Sequence, residues 1–208
     1  MARILITSGP TRQYLDPVRY LTNASSGRMG KALAEAAIEA GHEVVIVTGP
    51  VQVEYPAEAE IISVVSTEEM LHAATMAFER CDGLIGAAAP CDYRPQQVAS
   101  SKIAKTGEPL LLELVETPDV VSTLGHGKGD RWVVGFALET EARRLRALAK
   151  AERKCCDLMV SNGTEAMHSL ENDVEVLDPD SEVIERIAGP KEDVARGILR
   201  IIEERLIR

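Results

Sequence analysis

The chain is 208 residues long, 45% hydrophobic and carries a formal net charge of −10, enough apolar mass for one core and a charge that argues against nucleic acid and anionic membranes as partners. It has no run of 18 apolar residues and no charged-then-apolar leader at its start, which reads as a soluble, unexported protein. Cys81, Cys91, Cys155 and Cys156 lack C-x-x-C metal spacing and the adjacent pair cannot easily bridge, so a reducing cytoplasm is expected, and any phosphorylated ligand needs a local basic island.

The chain opens with RILIT at 3–7, a short apolar run closed by Ser8-Gly9-Pro10, which reads as a buried strand. A long loop follows at 11–20. LTNASSGRMG at 21–30 then brings an amide, hydroxyls, glycines and an arginine to the start of an Ala-rich helix, expected near Ser26. That helix carries Met29, Leu33, Ala36 and Ala37 on one face and stops at Gly41. EVVIVT at 43–48 is the next strand, stopped by Gly49-Pro50, and 59–66 is a third. Ser66 with Glu69 forms a capping box for a helix to about Cys81, whose apolar face is Met70, Ala74, Ala77 and Phe78. GLIGAAA at 83–89 is too small-residued for an ordinary strand end, so something should pack against its backbone.

Residues 91–107 read as loop, 110–115 as a strand, Pro118 as the start of a short helix and 132–137 as another strand. Residues 141–155 form a basic amphipathic helix with Leu145 and Leu148, and 158–161 is a strand ending in Asn162-Gly163. Residues 174–177 and 183–187 flank Asp178-Pro179-Asp180-Ser181, a hairpin signal, and a last helix runs from about Lys191 with Val194, Ile198, Ile201 and Ile202 inward. This alternation predicts an α/β fold: a doubly wound, mostly parallel Rossmann-like sheet with a C-terminal β-hairpin and helix, in one domain spanning 1–208. No internal repeat, low-complexity segment or linker interrupts it.

Sheets of this kind bind ligands beyond the C-terminal ends of their strands, where residues 8–12, 49–50, 87–94, 116–118, 136–140 and 161–163 should lie. Several of these are polar or Gly-rich, so a nucleotide-sized ligand is expected. A helix start has unpaired N–H groups and suits phosphate, which makes Ser25, Ser26 and Gly27 candidate phosphate-binding residues. The dehydrogenase G-x-G-x-x-G is missing after the first strand, and no tyrosine is followed by a lysine four residues on. At Gly30-Lys31 a Walker loop fails, because Ser25 stands where the first glycine belongs and Ala32 replaces the Mg²⁺-binding hydroxyl. Cys91 has no motif tying it to His42, His72, His126 or His168, so thiol catalysis is a poor fit. What remains is anion handling by scattered lysines, arginines and an amide.

In order along the chain stand ITSGPTR (6–12), LDPVRY (15–20), LTNASSGRMG (21–30), AAPCDYRP (88–95), SKIAK (101–105), ETPDVV (116–121), VGFALET (134–140) and KCCDLMVSN (154–162). Any one of these is weak, but the ordered set is specific. From residue 3 to about 165 the chain resembles the phosphopantothenate–cysteine ligase (phosphopantothenoylcysteine synthetase) family, as a stand-alone ligase domain of the bacterial bifunctional coenzyme A biosynthesis protein. The resemblance implies ligation of L-cysteine to 4′-phosphopantothenate through an acyl-cytidylate, using CTP and Mg²⁺ and releasing CMP and pyrophosphate. It also implies a homodimer and a possible separate phosphopantothenoylcysteine decarboxylase, the flavin half being absent from this chain.

In the resemblance Asn23 donates amide hydrogen bonds to the mixed anhydride, although alone it would read as an N-cap. Lys102 takes the place of the essential lysine near the α-phosphate, and Lys105 closes the same motif, where Ala104 departs from the usual third lysine. Small residues at Gly86, Ala87 and Ala88 let a base or ribose lie on the backbone, and Asp92 meets the nucleotide or its Mg²⁺, or else caps its loop. Cys91 stands where alanine is common. Lys150 and Lys154 share a helix face and reach the nucleotide in the resemblance, against the alternative of a solvated basic face. Phe136 packs on the nucleotide or in the core, and Pro118, Asp119, Val120 and Val121 begin a helix that offers backbone N–H groups. Arg19 binds the substrate phosphate or carboxylate, or shapes the dimer contact. Two other classes stay open, an NAD(P)-binding reductase on the same architecture and a non-catalytic nucleotide-binding regulatory subunit.

Overall fold

The computed structural model describes residues 1–138, 143–162, 171–179 and 183–207. Its first strand, β1 (Arg3–Ser8), is buried from Ile4 onward on both faces, as an unbroken apolar run requires of a central parallel strand. The lead-in loop that follows is a small hairpin, β2 (Arg12–Tyr14) against β3 (Tyr20–Thr22). Its turn is organised by Asp16, whose buried carboxylate accepts the N–H groups of Val18 and Arg19, both at 2.8 Å. Helix α1 (Arg28–Glu39) begins two residues later than Ser26, because Gly27 sits at φ 76° and cannot itself continue a helix. β4 (Glu43–Thr48) and β5 (Glu60–Ser63) follow, the latter a short edge strand rather than the expected eight residues. Helix α2 (Thr67–Phe78) has the predicted capping box: Glu69 N–H donates to Ser66 Oγ at 3.1 Å, and Ser66 N–H donates to Glu69 Oε2 at 3.3 Å. It ends at Phe78, short of Cys81.

β6 (Gly83–Gly86) does have something packed on its backbone. The Trp132 ring and Val121 lie where Cβ atoms on Gly83 and Gly86 would stand. The stretch read as loop contains β7 (Tyr93–Pro95), which pairs antiparallel with β8 (Leu114–Glu116). The strand expected over 110–115 is therefore shorter and shifted, and Leu110, Leu111 and Leu112 are exposed, because this pair lies off the main sheet with only one partner each. Helix α3 (Val120–His126) is capped by Asp119, which accepts from Ser122 N–H at 3.0 Å. β9 (Trp132–Leu138), α4 (Arg143–Arg153) and β10 (Leu158–Asn162) complete the parallel part. β11 (Glu171–Leu177) and β12 (Val183–Pro190) form the terminal hairpin, longer than expected, and α5 (Lys191–Leu206) closes the chain. The expected helix start at Glu141, the motif residues Glu139 and Thr140, Gly163, His168 and the turn residues Asp180 and Ser181 lie outside the described residues.

Eight strands form one sheet in the order β12-β11-β10-β9-β6-β1-β4-β5, parallel from β10 to β5 and antiparallel at β11 and β12. This is the expected doubly wound, mostly parallel sheet with its C-terminal hairpin and helix. Alternation along each strand divides the core in two. Ile4, Ile6, Val44, Ile46, Val134 and Val160 face α1 and α5, while Leu5, Val45, Val47, Leu84 and Val133 face α2, α3 and α4. Each such buried aliphatic side chain contributes roughly 1.5–3 kcal/mol. From β1 the chain steps outward through β4 and β5, then returns to β6 on β1's other side. The crevice between the ends of β1 and β6 is the switch point at which such sheets take ligands.

Candidate active site

At that switch point lies a cavity of about 490 Å³. One wall is the start of α1. A Cβ on Gly30 would stand 2.0 Å from Ser8 Oγ, so only glycine lets the first turn of the helix rest on the end of β1. Ser8 Oγ is fixed there by Tyr55 Oη at 2.9 Å, and Tyr55 in turn bonds Thr48 at 2.8 Å. The helix start has no side-chain cap and no acidic residue in its first turn, so its N–H groups and partial positive charge face the cavity unopposed.

The opposite wall follows β6. Ala87 N–H donates to Thr7 O at 3.1 Å and Ala89 N–H to Gly9 O at 2.9 Å, which carries the sheet pairing past the strand end and lays Ala87, Ala88 and Ala89 flat along the pocket. Asn23 bridges the two walls, its Nδ2 donating to Pro90 O at 2.8 Å and more weakly to Ala89 O at 3.4 Å. Beyond them, Cys91 is clamped through its backbone. Its N–H donates to Thr11 Oγ1 at 2.8 Å, and its carbonyl accepts from Thr117 Oγ1 at 2.6 Å and Thr67 Oγ1 at 3.2 Å. That clamp presents the exposed Asp92 at the cavity rim. Burial pushes the Cys91 thiol up, and its Sγ donates to Tyr93 O at 3.2 Å, so it is an inert neighbour and no thiolate nucleophile.

The far end is built from the other half of the sheet. Phe136 from β9, Lys150 from α4, Asn162 from β10, Asn172 from β11 and Lys191 from α5 all line it. Asn162 Oδ1 is buried without a hydrogen-bond partner among the described residues. Arg28, Lys150 and Lys191 bring three cations, and Asp92 is the one carboxylate of the lining among the described residues. A protein of net charge −10 thus carries a basic island at its switch point, as a phosphorylated ligand requires. No group of three or more His, Cys, Asp or Glu side chains suited to a metal occurs among the described residues. Asp92 is thus the one carboxylate of this lining, among the described residues, that could face a divalent cation.

Of the residues singled out from sequence, Asn23, Ser25, Ser26, Gly27, Ala87, Ala88, Asp92, Phe136 and Lys150 line this one cavity. A second set is not part of its lining. Lys154, one turn beyond Lys150, pairs with Asp119 at 3.0 Å, and Gly86 packs on Val121 beside Pro118 and the buried Val120. Arg19 is elsewhere, its guanidinium held by Asp16 at 2.9 and 2.5 Å and by Ile103 O at 2.6 Å. Burial by itself would raise the Asp16 carboxyl, but the hydrogen bonds from Arg19 and from the Val18, Ile103 and Arg19 N–H groups outweigh it and hold the group far below the usual carboxylate range. The Asp16–Arg19 pair therefore ties down the neighbouring loop at Ile103, on which Lys102 and Lys105 are exposed and outside the cavity lining. Asn172 and Lys191 were not foreseen. The one local signal was a lysine at the first position of the last helix, where the helix dipole disfavours a cation.

The family model described as "DNA/pantothenate metabolism flavoprotein C-terminal domain" matches residues 1–206. The coenzyme A biosynthesis bifunctional protein CoaBC of Haemophilus influenzae is 42% identical over 160 residues, covering 76% of this chain and 40% of that protein. The CoaBC protein of Borreliella burgdorferi is 34% identical over 203 residues, covering 96% of this chain and 52% of that protein. The chain thus spans between two fifths and about half the length of these relatives. A crystal structure of the C-terminal domain of CoaBC superimposes with a TM-score of 0.81 at 37% identity, covering 97% of this chain and 94% of that one. With a family match over nearly its whole length, the chain belongs to the DNA/pantothenate metabolism flavoprotein C-terminal domain family, in line with the resemblance carried by its motifs.

Proposed function

We propose that the chain is a phosphopantothenate–cysteine ligase of coenzyme A synthesis, with CTP as co-substrate and Mg²⁺ as counter-ion to its phosphates. The observation that carries this reading is one pocket, at the switch point of a domain of this family, that joins Asn23, the open start of α1 and three cations. In the first step a carboxylate oxygen of 4′-phosphopantothenate attacks the α-phosphorus. An O–P bond forms, the α–β bridging bond breaks, and pyrophosphate leaves with its electron pair. The cations of the pocket neutralise the charge that develops on it. In the second step the free amine of L-cysteine attacks the acyl carbon. A C–N bond forms, the C–O bond breaks, CMP leaves and the amine loses its proton to solvent.

Asn23 contributes to that second step by donating to the anhydride oxygens, which requires its Nδ2 to exchange Pro90 O for the substrate. Mg²⁺, when bound, adds charge neutralisation at the phosphates, with Asp92 as its protein ligand. The flat run Ala87, Ala88 and Ala89 is where a base or ribose would rest. Lys102 is exposed, so in this reading it reaches the nucleotide either by movement of its loop or from a second chain of a homodimer. Exposed Tyr14, Val18, Tyr20 and Val98 around the β2–β3 hairpin supply apolar surface for such a dimer.

Incubation with 4′-phosphopantothenate, cysteine and each of CTP, ATP, GTP and UTP is expected to release pyrophosphate fastest with CTP and to yield the amide by mass spectrometry. No amide with any nucleotide overturns the reading. Lys102→Gln is expected to abolish turnover with an unchanged Tm, because the side chain is exposed. Normal turnover by the folded variant removes the role assigned to it.

A further inference from the structure

After Ala89 the chain leaves the sheet, so the buried Cys91 must find partners for its backbone outside any ladder. Two fully buried threonines supply them: Thr11, just ahead of β2, and Thr67, in the first turn of α2. Thr67 Oγ1 donates to Cys91 O at 3.2 Å, so the 2.7 Å bond between the two hydroxyls is donated by Thr11. Thr11 Oγ1 in turn accepts the Cys91 N–H at 2.8 Å. The bonds close a ring in which each of the three residues gives one proton and takes one. Polar groups buried this deeply cost free energy unless every one is paired, and a fully paired network holds its members in a single geometry. This ring has chemistry on both sides. Asn23 rests its Nδ2 on the carbonyl of Pro90, immediately before Cys91, and Asp92 follows immediately after. Thr11 also reaches the end of β3, next to Asn23, because its backbone carbonyl accepts from Thr22 Oγ1 at 2.7 Å.

We propose that Thr11 is a positioning residue of this active site: through the hydroxyl ring on Cys91 and its bond from Thr22, it holds Asn23 and Asp92 in one fixed relation across the cavity. Thr11 is outside the cavity lining and acts only through these neighbours. The inference rests on the ligase reading above, in which Asn23 serves aminolysis and Asp92 faces the nucleotide. An amide donor works only at the right distance from the charge it stabilises, and a misplacement of about 1 Å costs on the order of 10²-fold in rate. Opening the ring therefore acts on kcat. Substrate affinity is set by contacts made elsewhere in the pocket, at Phe136, Lys150 and the start of α1.

The test uses the full chain. Thr11→Val keeps the shape and removes the hydroxyl, whereas Thr11→Ser keeps the hydroxyl and removes a methyl. For each variant, kcat and KM of amide formation with CTP are measured, together with Tm and hydrogen exchange at the Cys91 amide. Thr11→Val is expected to lower kcat on the order of ten- to a hundredfold, with KM near wild type and faster exchange at Cys91. Thr11→Ser is expected to keep kcat near wild type although its Tm also falls, because a buried methyl is lost. That split separates positioning from stability. Thr67→Val opens the same ring from its other side, so the double variant of Thr11→Val and Thr67→Val should lose no more activity than either alone. Fast Cys91 exchange with wild-type kcat in Thr11→Val overturns the proposal, as does a kcat that falls equally in Thr11→Val and Thr11→Ser. If Thr11→Val does not fold, Thr22→Val decides, since Thr22 is exposed and its loss spares the core. A several-fold fall in kcat with wild-type Tm then supports the proposal, and a wild-type kcat overturns it. A wild-type protein that forms no amide refutes the ligase reading and this inference with it, whereas amide formed at the wild-type rate once the ring is open refutes this inference alone.

Discussion

At the scale of single residues, Asn23 and Asp16 show how position separates chemistry from architecture. Asn23 is half-buried at the cavity with its Nδ2 on Pro90 O, so its amide is already aimed across the cleft between α1 and the β6 wall. Asn23→Asp replaces a donor with a carboxylate that repels an anhydride. The expected outcome is accumulated acyl-nucleotide and an aminolysis step slowed on the order of 10²–10³-fold, the usual cost of one lost oxyanion donor. Rapid-quench analysis checks it, and wild-type rates for both steps would remove Asn23 from the mechanism. Asp16 is as deeply buried as any core residue, but its partners are its own turn and Ile103. Because its folded-state pKa is depressed, its stabilising contribution is complete above the ordinary carboxylate range near about 4 and drains away as pH falls below it. Asp16→Asn should therefore lower Tm clearly at pH 7, and the gap from wild type should narrow as the scan is repeated toward pH 2. A gap that widens in acid would contradict the assignment.

At the scale of elements, the start of α1 depends on the fit of one glycine against one serine. In Gly30→Ala the new Cβ would meet Ser8 Oγ at 2.0 Å and Ser8 Cβ at 2.5 Å, and Ser8 cannot swing aside without breaking its bond to Tyr55. The expected cost is about 1–3 kcal/mol of stability, read as a drop in Tm, together with a raised KM for CTP as the helix start is pushed off the cavity. Gly127→Ala is the matched control, since its Cβ would meet Thr123 O at 3.6 Å and Leu124 O at 3.9 Å, both ordinary contacts, and both readouts should stay at wild-type values. Elements of this kind explain what could be read in advance. β1, the Ser66–Glu69 capping box and the inward face of α5 announce themselves within a few residues, because apolar period and cap chemistry are local. The β7–β8 pair does not, since Tyr93 meets Glu116 only after the intervening segment loops back, and neither three-residue strand has a pattern of its own. Lys191 is the same case at the site. Seen locally it is only a cation at a helix start, where the dipole disfavours it, and only the sheet order, which seats α5 beside α1, turns it into a neighbour of Arg28.

At the scale of the whole molecule, the cavity draws on both halves of the sheet: Asn23, Arg28 and Ala87 to Ala89 from the β1–β6 side, and Phe136, Lys150, Asn162, Asn172 and Lys191 from the β9–β12 side. A ligand that spans it must therefore stabilise elements that are far apart in sequence. Hydrogen exchange offers a direct reading of this. The amides of residues 27–30 have no intrahelical partners and α1 has no side-chain cap, so they should exchange quickly in the free protein. CTP is expected to slow them as its phosphates settle on the helix start and to raise Tm, whereas NADPH should do neither. β5, an edge strand remote from the cavity, should exchange alike with and without nucleotide. Unchanged exchange at 27–30 in the presence of CTP would remove the start of α1 from the nucleotide site.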